Sequence, residues 1–228
     1  MSGGSPARGW RDSIALAIAW RYATHAVMLA LALWHEPLAA PSLPDRVLAQ
    51  VPRIEWIARA NYWLWLAAWV PLAIALLVRD RALGVRFLWL GGWLSLLRGA
   101  CVVLTGLGPV DGLDRNAGAS FETLRDAWVA LVNPVSALLG DAPHVALTKD
   151  LFFSGHVATT FLLWLYCRRV PGLGRLALAA QLATTAVVFL SHLHYAIDVV
   201  GAYAITFAVY ALCEGWPPRP AEPRPPLA

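Results

Sequence analysis

Two stretches of the chain, "DLFFSGHVATTF" at residues 150–161 and "SHLHYAIDVVGAY" at residues 191–203, place polar residues beside long apolar runs. Each stretch puts a histidine, His156 or His194, at the edge of such a run. Ionisable groups are costly near lipid, so their presence there makes them candidates for a function. From these residues alone three interpretations stay open: the lining of a pore, polar contacts buried between helices, or chemistry on a membrane molecule.

The composition points to a lipid environment. The 228 residues are 59% hydrophobic and 14% charged, with a mean hydropathy of +0.57. Soluble domains are nearer half apolar and about a quarter charged. The net charge of +4 is modest, and the arginines lie between the apolar runs, so nucleic-acid binding has no support. The three cysteines have no paired spacing that would indicate a disulfide framework or a zinc site.

The apolar runs predict an all-α, polytopic integral membrane bundle of six transmembrane helices. A helix needs about 20 mostly apolar residues to cross a bilayer. The predicted spans are Ile14–Trp34, Asn61–Val78, Val85–Leu107, Leu151–Cys167, Leu176–His192 and Ala196–Cys213. The first is longer than a signal-peptide core and is interrupted by Arg21, so we expect a retained span. Arg21 is then expected either to snorkel to the inner surface or to pack against other helices.

Arginine-rich connections predict the orientation. "RDRALGVR" joins the second and third spans and "RRVPGLGR" joins the fourth and fifth, so both are expected in the cytoplasm. We then expect residues 1–13 to be a cytoplasmic segment, residues 14–213 the six-helix membrane domain, and residues 214–228 a disordered proline-rich cytoplasmic tail. The near absence of lysine indicates a GC-rich bacterial source, with the protein in the inner membrane and its site facing the periplasm.

One of the two long outer connections contains "SFETLRDAWVALVNP", which predicts a short amphipathic helix capped by Ser120. Its apolar face comprises Phe121, Leu124, Trp128 and Leu131. Two placements stay open: flat on the outer membrane surface, or packed over the bundle.

The predicted topology brings three ionisable residues to one depth, near the outer face. His156 lies about one turn into the fourth span, His194 ends the fifth, and Asp198 starts the sixth. His194 and Asp198 are four residues apart and therefore share a helical face, where the carboxylate can orient the imidazole. This is the base and its orienting group in a nucleophilic site, and His156 can serve as the acid.

Neighbouring residues are candidates for supporting roles. Ser154 offers a hydroxyl to a phosphate oxygen, and Gly155 permits a close approach of the backbone. Lys149, the single lysine of the chain, is expected either to bind phosphate or to anchor the interface. Asp150 is expected to orient His156 or Lys149 or to cap the fourth helix, and Tyr195 to support the site.

The remaining histidines stay outside the predicted site. His192 is off the face that His194 and Asp198 share, and His25, His35 and His144 have no partner in the pattern. A His-Asp pair with one distant histidine is a weak pattern for a metal, so we expect no metal.

Four segments together resemble the sphingomyelin synthase-like branch of the phosphatidic acid phosphatase type 2 superfamily. They are "SLPD" at residues 42–45, "RFLWLGGWLSLLRGACVVLTGLGPVDG" at 86–112, "DLFFSGH" at 150–156 and "HYAIDVVGAY" at 194–203. Residues 186–189 read "AVVF" and lack the arginine that the phosphatase branch carries before its last histidine. This difference favours the synthase-like branch.

The resemblance implies a mechanism without a metal or other cofactor. His194, oriented by Asp198, attacks the phosphorus of a phospholipid headgroup, and His156 protonates the departing lipid oxygen. A lipid alcohol, such as a ceramide or a diacylglycerol-like acceptor, then takes the headgroup phosphate. Arg98 matches an arginine of the family and is expected either to point into the site or to pack between helices paired with an acid.

The leading prediction is therefore a membrane lipid phosphotransferase that acts on a phospholipid donor and a lipid alcohol acceptor within the bilayer. The alternative is a lipid phosphate phosphatase or phospholipase-type hydrolase, in which water takes the phosphate. A third hypothesis is a non-enzymatic transporter or scaffold. Transporters more often place ionisable groups near the bilayer midplane and carry internal repeats, which this sequence does not show.

Overall fold

The structure is a computed structural model that describes residues 13–133 and 147–215. Within these two ranges all regular elements are helical, which confirms the all-α prediction. The α-helices are α1 Ile14–His35, α2 Glu55–Arg79, α3 Arg81–Thr105, α4 Phe121–Val132, α5 Gly155–Cys167, α6 Leu173–Ser191 and α7 Ala196–Glu214; a short 3-10 helix spans Leu48–Gln50. The predicted terminal segments lie almost wholly outside the described residues.

Five of the described helices, α1, α2, α3, α6 and α7, are long and apolar enough to cross a membrane, which confirms an integral membrane protein. The fourth predicted span is shorter than expected, because α5 has 13 residues. At 1.5 Å per residue it measures about 20 Å, short of the roughly 30 Å of a hydrocarbon core. The helix begins late because Ser154 caps it, with its Oγ accepting from Val157 N.

Helices α1 and α3 pack along each other, and glycines of α3 make this possible. A Cβ atom at Gly92 would collide with the Trp20 ring, and one at Gly99 would lie 2.9 Å from Leu31 Cδ1. Small residues allow helix backbones to approach closely in membranes. The first predicted span is therefore an integral part of the bundle.

The helices place unlike groups at their two ends. At the end that we call the basic end, the buried Glu214 carboxylate binds Arg86 at 2.7 Å and Arg169 at 3.0 Å, and Tyr166 donates to it at 2.9 Å. The opposite end, here the histidine end, carries His156, His194 and Asp198. The chain therefore separates its predicted cytoplasmic arginines from its predicted site by the length of the bundle.

The amphipathic helix α4 forms as predicted, with Ser120 as its N-cap. It packs over the bundle: Trp128 Nε1 donates to Ala26 O at 2.8 Å, and Leu124 and Leu131 pack around Leu33 of α1. Phe121 departs from the predicted face and is 79% exposed. Of the two placements, the structure shows packing against α1.

Candidate active site

The segment before α5, residues 147–154, is non-helical and largely buried, so its backbone groups need partners within the protein. The fully buried Glu36 carboxylate accepts from Thr148 N and Lys149 N, both at 2.7 Å. Arg98 donates to Phe153 O and Asp150 O. These side chains let an irregular segment lie beside the membrane helices, and it delivers His156 at the second position of α5. The predicted full turn of helix before His156 is absent.

His194 and Asp198 form the predicted pair. His194 Nδ1 lies 3.3 Å from Asp198 Oδ2, and both residues are buried, with 4% and 0% exposure. The same Oδ2 accepts from Tyr195 N at 3.0 Å, which fixes the carboxylate at the first turn of α7. With its Nδ1 facing the carboxylate, His194 keeps Nε2 for another partner.

The second histidine faces the first. The rings of His156 and His194 have centroids 6.3 Å apart and are nearly perpendicular, with an angle of 64° between their planes. His156 also packs on the Trp65 ring at 4.9 Å, and its buried Nε2 has no hydrogen-bond partner. Two imidazoles with ring centroids 6.3 Å apart, one of them oriented by a carboxylate, can act as nucleophile and acid on one phosphate.

The loop that carries "SLPD" holds the turn beside His194. Asp45 Oδ2 accepts from Ala196 N at 2.6 Å, and its Oδ1 accepts from Val47 N and Leu48 N at 2.9 and 3.0 Å. Partial burial opposes ionisation, but these three N–H groups outweigh it and hold the pKa of Asp45 below its ordinary value. Asp45 is thus an anchor for the start of α7, a role that the sequence did not reveal.

Tyr195 connects the turn beside His194 to two of the other segments that resemble the family. Its buried hydroxyl accepts from Leu43 N at 3.0 Å and donates toward Gly108 O at 3.0 Å and Pro109 O at 3.2 Å. A Cβ at Gly108 would collide with Ala40 O, so only glycine fits there. Parts of three segments that resemble the family therefore meet around the residue next to His194.

Arg98 lies in the core beneath α5 and combines the two roles considered for it. It is 6% exposed, its Nη1 is 2.8 Å from Asp150 Oδ1, and it borders the cavity described below. Gly155 makes this possible, since a Cβ there would lie 3.1 Å from Arg98 Nε. Asp150 therefore pairs with Arg98. We had expected it to orient His156 or Lys149 or to cap the helix.

Lys149 corrects another expectation. Its Nζ donates to Glu36 O at 2.6 Å and Leu38 O at 2.7 Å and forms an ion pair with Asp114 at 2.7 Å. All three ammonium protons are thus engaged, and the side chain is fully buried. Lys149 holds the segment before α5 in place, and its ammonium group has no proton left for the phosphate contact that we expected.

Ser154 also takes a structural role. Its oxygen caps α5, and the residue is completely buried. The hydroxyl is therefore not exposed for the predicted contact with a phosphate oxygen. The cap leaves Gly155 N and His156 N at the start of the helix, where the helix dipole favours an anion.

The other histidines have distinct environments. His192 Nε2 lies 2.9 Å from Val51 O, which ties the end of α6 to the loop and agrees with its exclusion from the triad. His25 borders the cavity, and His35 is buried at the end of α1. His144 lies outside the described residues. Among the residues that the structure describes, no group of three or more His, Cys, Asp or Glu side chains is arranged to hold a metal ion.

A cavity of about 480 Å³ opens beside His156. Residues of α1, α2, α3, α4 and α5 line it, and α2 packs mainly against α3, α5 and α6. His194 and Asp198 are not among the described residues that line the cavity. The lining includes Arg21, His25, Trp65, Ser95, Arg98 and His156. The sequence missed Arg21, His25 and Trp65 as site residues; only Arg21, as an arginine inside an apolar run, carried a signal.

Comparison with known proteins supports one superfamily. Residues 149–214, which contain both histidines and Asp198, match the family model described as PAP2 superfamily C-terminal. The match supports the PAP2 superfamily and a lipid phosphatase or phosphotransferase type of enzyme. It does not distinguish the sphingomyelin synthase-like branch from the others. No curated protein matches the chain.

Proposed function

We propose that this chain is a membrane phosphotransferase of the sphingomyelin synthase type, which moves a phosphate-linked headgroup from a phospholipid to a lipid alcohol. The observation that carries the proposal is the oriented His194–Asp198 pair facing His156 across 6.3 Å between ring centroids. The superfamily match to residues 149–214 supports the same chemistry.

In the first half-reaction, His194 Nε2 attacks the phosphorus of the donor. The phosphorus–oxygen bond to the donor lipid breaks, and protonated His156 gives its proton to the departing oxygen. Asp198 stabilises the positive imidazole of His194 as the nitrogen–phosphorus bond forms. The start of α5 favours the phosphate's negative charge. The products are a free lipid alcohol and a phosphohistidine that carries the headgroup.

In the second half-reaction, an acceptor alcohol gives its proton to neutral His156 and attacks the phosphorus. The nitrogen–phosphorus bond breaks and His194 is restored. His156 borders the cavity and His194 does not. This supports a binding mode in which the lipid alcohols of both half-reactions occupy the cavity. The largely apolar cavity lining favours an acceptor drawn from the bilayer over water. We place the histidine end at the periplasmic face of a bacterial inner membrane, because the arginine-rich loops lie at the other end.

The test uses the purified full chain and a phospholipid labelled in its phosphate, supplied with either a ceramide or a diacylglycerol. Labelled product lipid is expected from the wild type and none from His194→Ala. The matched control is His192→Asn, which removes the neighbouring histidine and suits the left-handed backbone at that position, where φ is +53°.

The label can end in one of three places. In a new lipid it supports the transferase. In soluble phosphate or headgroup alone it supports the hydrolase alternative. If the label stays on the donor with every tested lipid, while the protein is folded, the proposed chemistry is wrong. A second readout is the acid-labile phosphohistidine itself, which is expected to form on the wild type and to be absent from His194→Ala.

A further inference from the structure

Arg98, the cation expected to bind phosphate, is already engaged by the protein. Its Nε donates to Phe153 O at 2.7 Å and its Nη2 to Asp150 O at 3.0 Å. Its Nη1 contacts Asp150 Oδ1 at 2.8 Å and Met28 Sδ at 3.1 Å. The charge is balanced by a carboxylate and most donors are directed at the protein. Arg98 therefore has little capacity left for a ligand.

A second guanidinium, that of Arg21, borders the same cavity from α1. Its Nη1 donates to the Ser95 hydroxyl of α3. Among the described residues, no carboxylate lies within ion-pair distance of it. An arginine in a membrane helix without an acid is costly, and such residues generally serve a ligand or a transported ion. Arg21 thus brings to the cavity a charge that the described protein does not balance.

The surroundings of Arg21 fit a binding site. Ser95 precedes Arg98 by three residues on α3, so Arg21 lies about one turn, or roughly 4.5 Å, deeper along that helix. A Cβ at Gly91 would lie 3.1 Å from Arg21 Nε, so the glycine leaves room for the side chain against α3. His25, four residues after Arg21 on α1, faces the same cavity. A cation, a hydroxyl and an imidazole therefore share one part of the cavity wall.

We infer that Arg21, with Ser95 and His25, forms an anion-binding subsite that takes the phosphate group of a lipid. A guanidinium matches phosphate geometry with paired N–H donors, and its attraction is strong away from water. The inference rests on the proposed function for its ligand class. The phosphate can be the one that reacts, or it can belong to a second lipid in the cavity; the experiment below separates these sources.

The binding arm uses the full chain carrying His194→Ala, so that no turnover is needed. Affinities for dioleoyl phosphatidate and for dioleoylglycerol are measured in detergent micelles. Phosphatidate is expected to bind more tightly, and Arg21→Gln is expected to reduce this preference by about tenfold or more. Arg21→Lys keeps part of the preference. The control is Arg175→Gln, because Arg175 is exposed at the basic end.

A stability measurement separates ligand binding from packing. Without lipid, Arg21→Met is expected to keep or raise the melting temperature, because it removes an unbalanced charge and retains most of the side-chain volume. A clear fall in melting temperature, or a failure of the Arg21 variants to fold, would show a structural role and overturn the inference. Unchanged preference in Arg21→Gln, or an equal loss of affinity for both lipids, would also overturn it.

The turnover arm uses intact His194. If Arg21→Gln lowers kcat/KM as much as it lowers phosphatidate binding, the subsite holds the reacting phosphate. If kcat/KM is unchanged while binding falls, the subsite holds another lipid; both results support an anion subsite. Absence of turnover in every protein, with the binding preference present, would contradict the proposed function and leave the subsite established.

Discussion

Replacing Asp45 by asparagine tests whether the "SLPD" loop positions His194, the proposed nucleophile. Asp45 uses one carboxylate oxygen for Ala196 N and the other for Val47 N and Leu48 N. Asparagine offers one carbonyl oxygen and one NH₂ group, so at least one set of N–H groups loses its acceptor. Hydrogen bonds to a charged group contribute about 1.5–3 kcal/mol when buried. Asp45 is partly buried, so we expect a loss of about 1–2 kcal/mol.

This loss is expected to fall on the start of α7. Ala196 is the first residue of the helix and lies between His194 and Asp198, whose pairing depends on the helical turn. A change of 1–2 kcal/mol makes local opening roughly 5–30 times more frequent. We expect kcat to fall when opening becomes common, with a smaller effect on KM, because Asp45 is not among the residues that line the cavity.

Hydrogen exchange measured by mass spectrometry provides a readout that does not depend on the substrate. Peptides that cover residues 193–200 are expected to exchange faster in Asp45→Asn. The matched control is Asp111→Asn, since Asp111 also accepts a backbone N–H within its own loop, from Leu113 at 3.0 Å, and pairs with Arg115. Equal exchange and equal kcat in the two variants would refute a positioning role for Asp45.

The same residue predicts a pH dependence of stability. Because folding lowers the pKa of Asp45, its carboxylate stabilises the fold above the unfolded pKa of about 4. That contribution disappears as the pH falls through the lower, folded pKa. The difference in melting temperature between the wild type and Asp45→Asn should therefore shrink on acidification from pH 6 to pH 3. A difference that stays constant over this range would contradict the assigned ionisation.

Three further substitutions test individual contacts. Asp198→Asn is expected to lower turnover by about a hundredfold or more with a small change in melting temperature, because it loosens the orientation of His194; steady-state rates check this. Lys149→Met is expected to destabilise the protein by about 1–3 kcal/mol, since Asp114 and two carbonyl groups lose their partner, while the KM of the folded fraction stays unchanged. Trp65→Ala is expected to reduce turnover more than Trp65→Phe, which retains a ring beside His156, and unequal rates at equal folded fraction would support that contact.

Local sequence patterns were sufficient to find the helices and the central pair. Apolar runs depend on neighbouring residues only, and the i, i+4 spacing of His194 and Asp198 survives any packing of the helix. The meeting with His156 followed from the alternation of the predicted spans. These features could be predicted because each depends on a short stretch or on topology.

The partners of the charged residues depend on tertiary contacts and could not be predicted. The Glu36 carboxylate accepts from Lys149 N, 113 positions away, and Arg98 donates to Asp150 O, 52 positions away. No periodic pattern in the sequence indicates contacts over such separations. The late start of α5, by contrast, has a local signal in the sequence, because Ser154 is a favoured N-cap residue followed by glycine. Reading that cap would have shortened the fourth predicted span and placed His156 in its first turn.

Buried polar groups at the histidine end fall into two kinds, and the distinction separates support from chemistry. Lys149 has all three ammonium protons directed at two carbonyl groups and Asp114, so it can hold the segment before α5 in place but cannot engage a ligand. His156 Nε2 and Trp65 Nε1 are buried without partners, and the two rings contact each other beside the cavity. A folded protein seldom leaves such atoms unpaired unless a water or ligand completes them. Under the proposed function, His156 and Trp65 border the volume that the lipid headgroup enters, and the contacts of Lys149 explain why its charge is not expected to bind that headgroup.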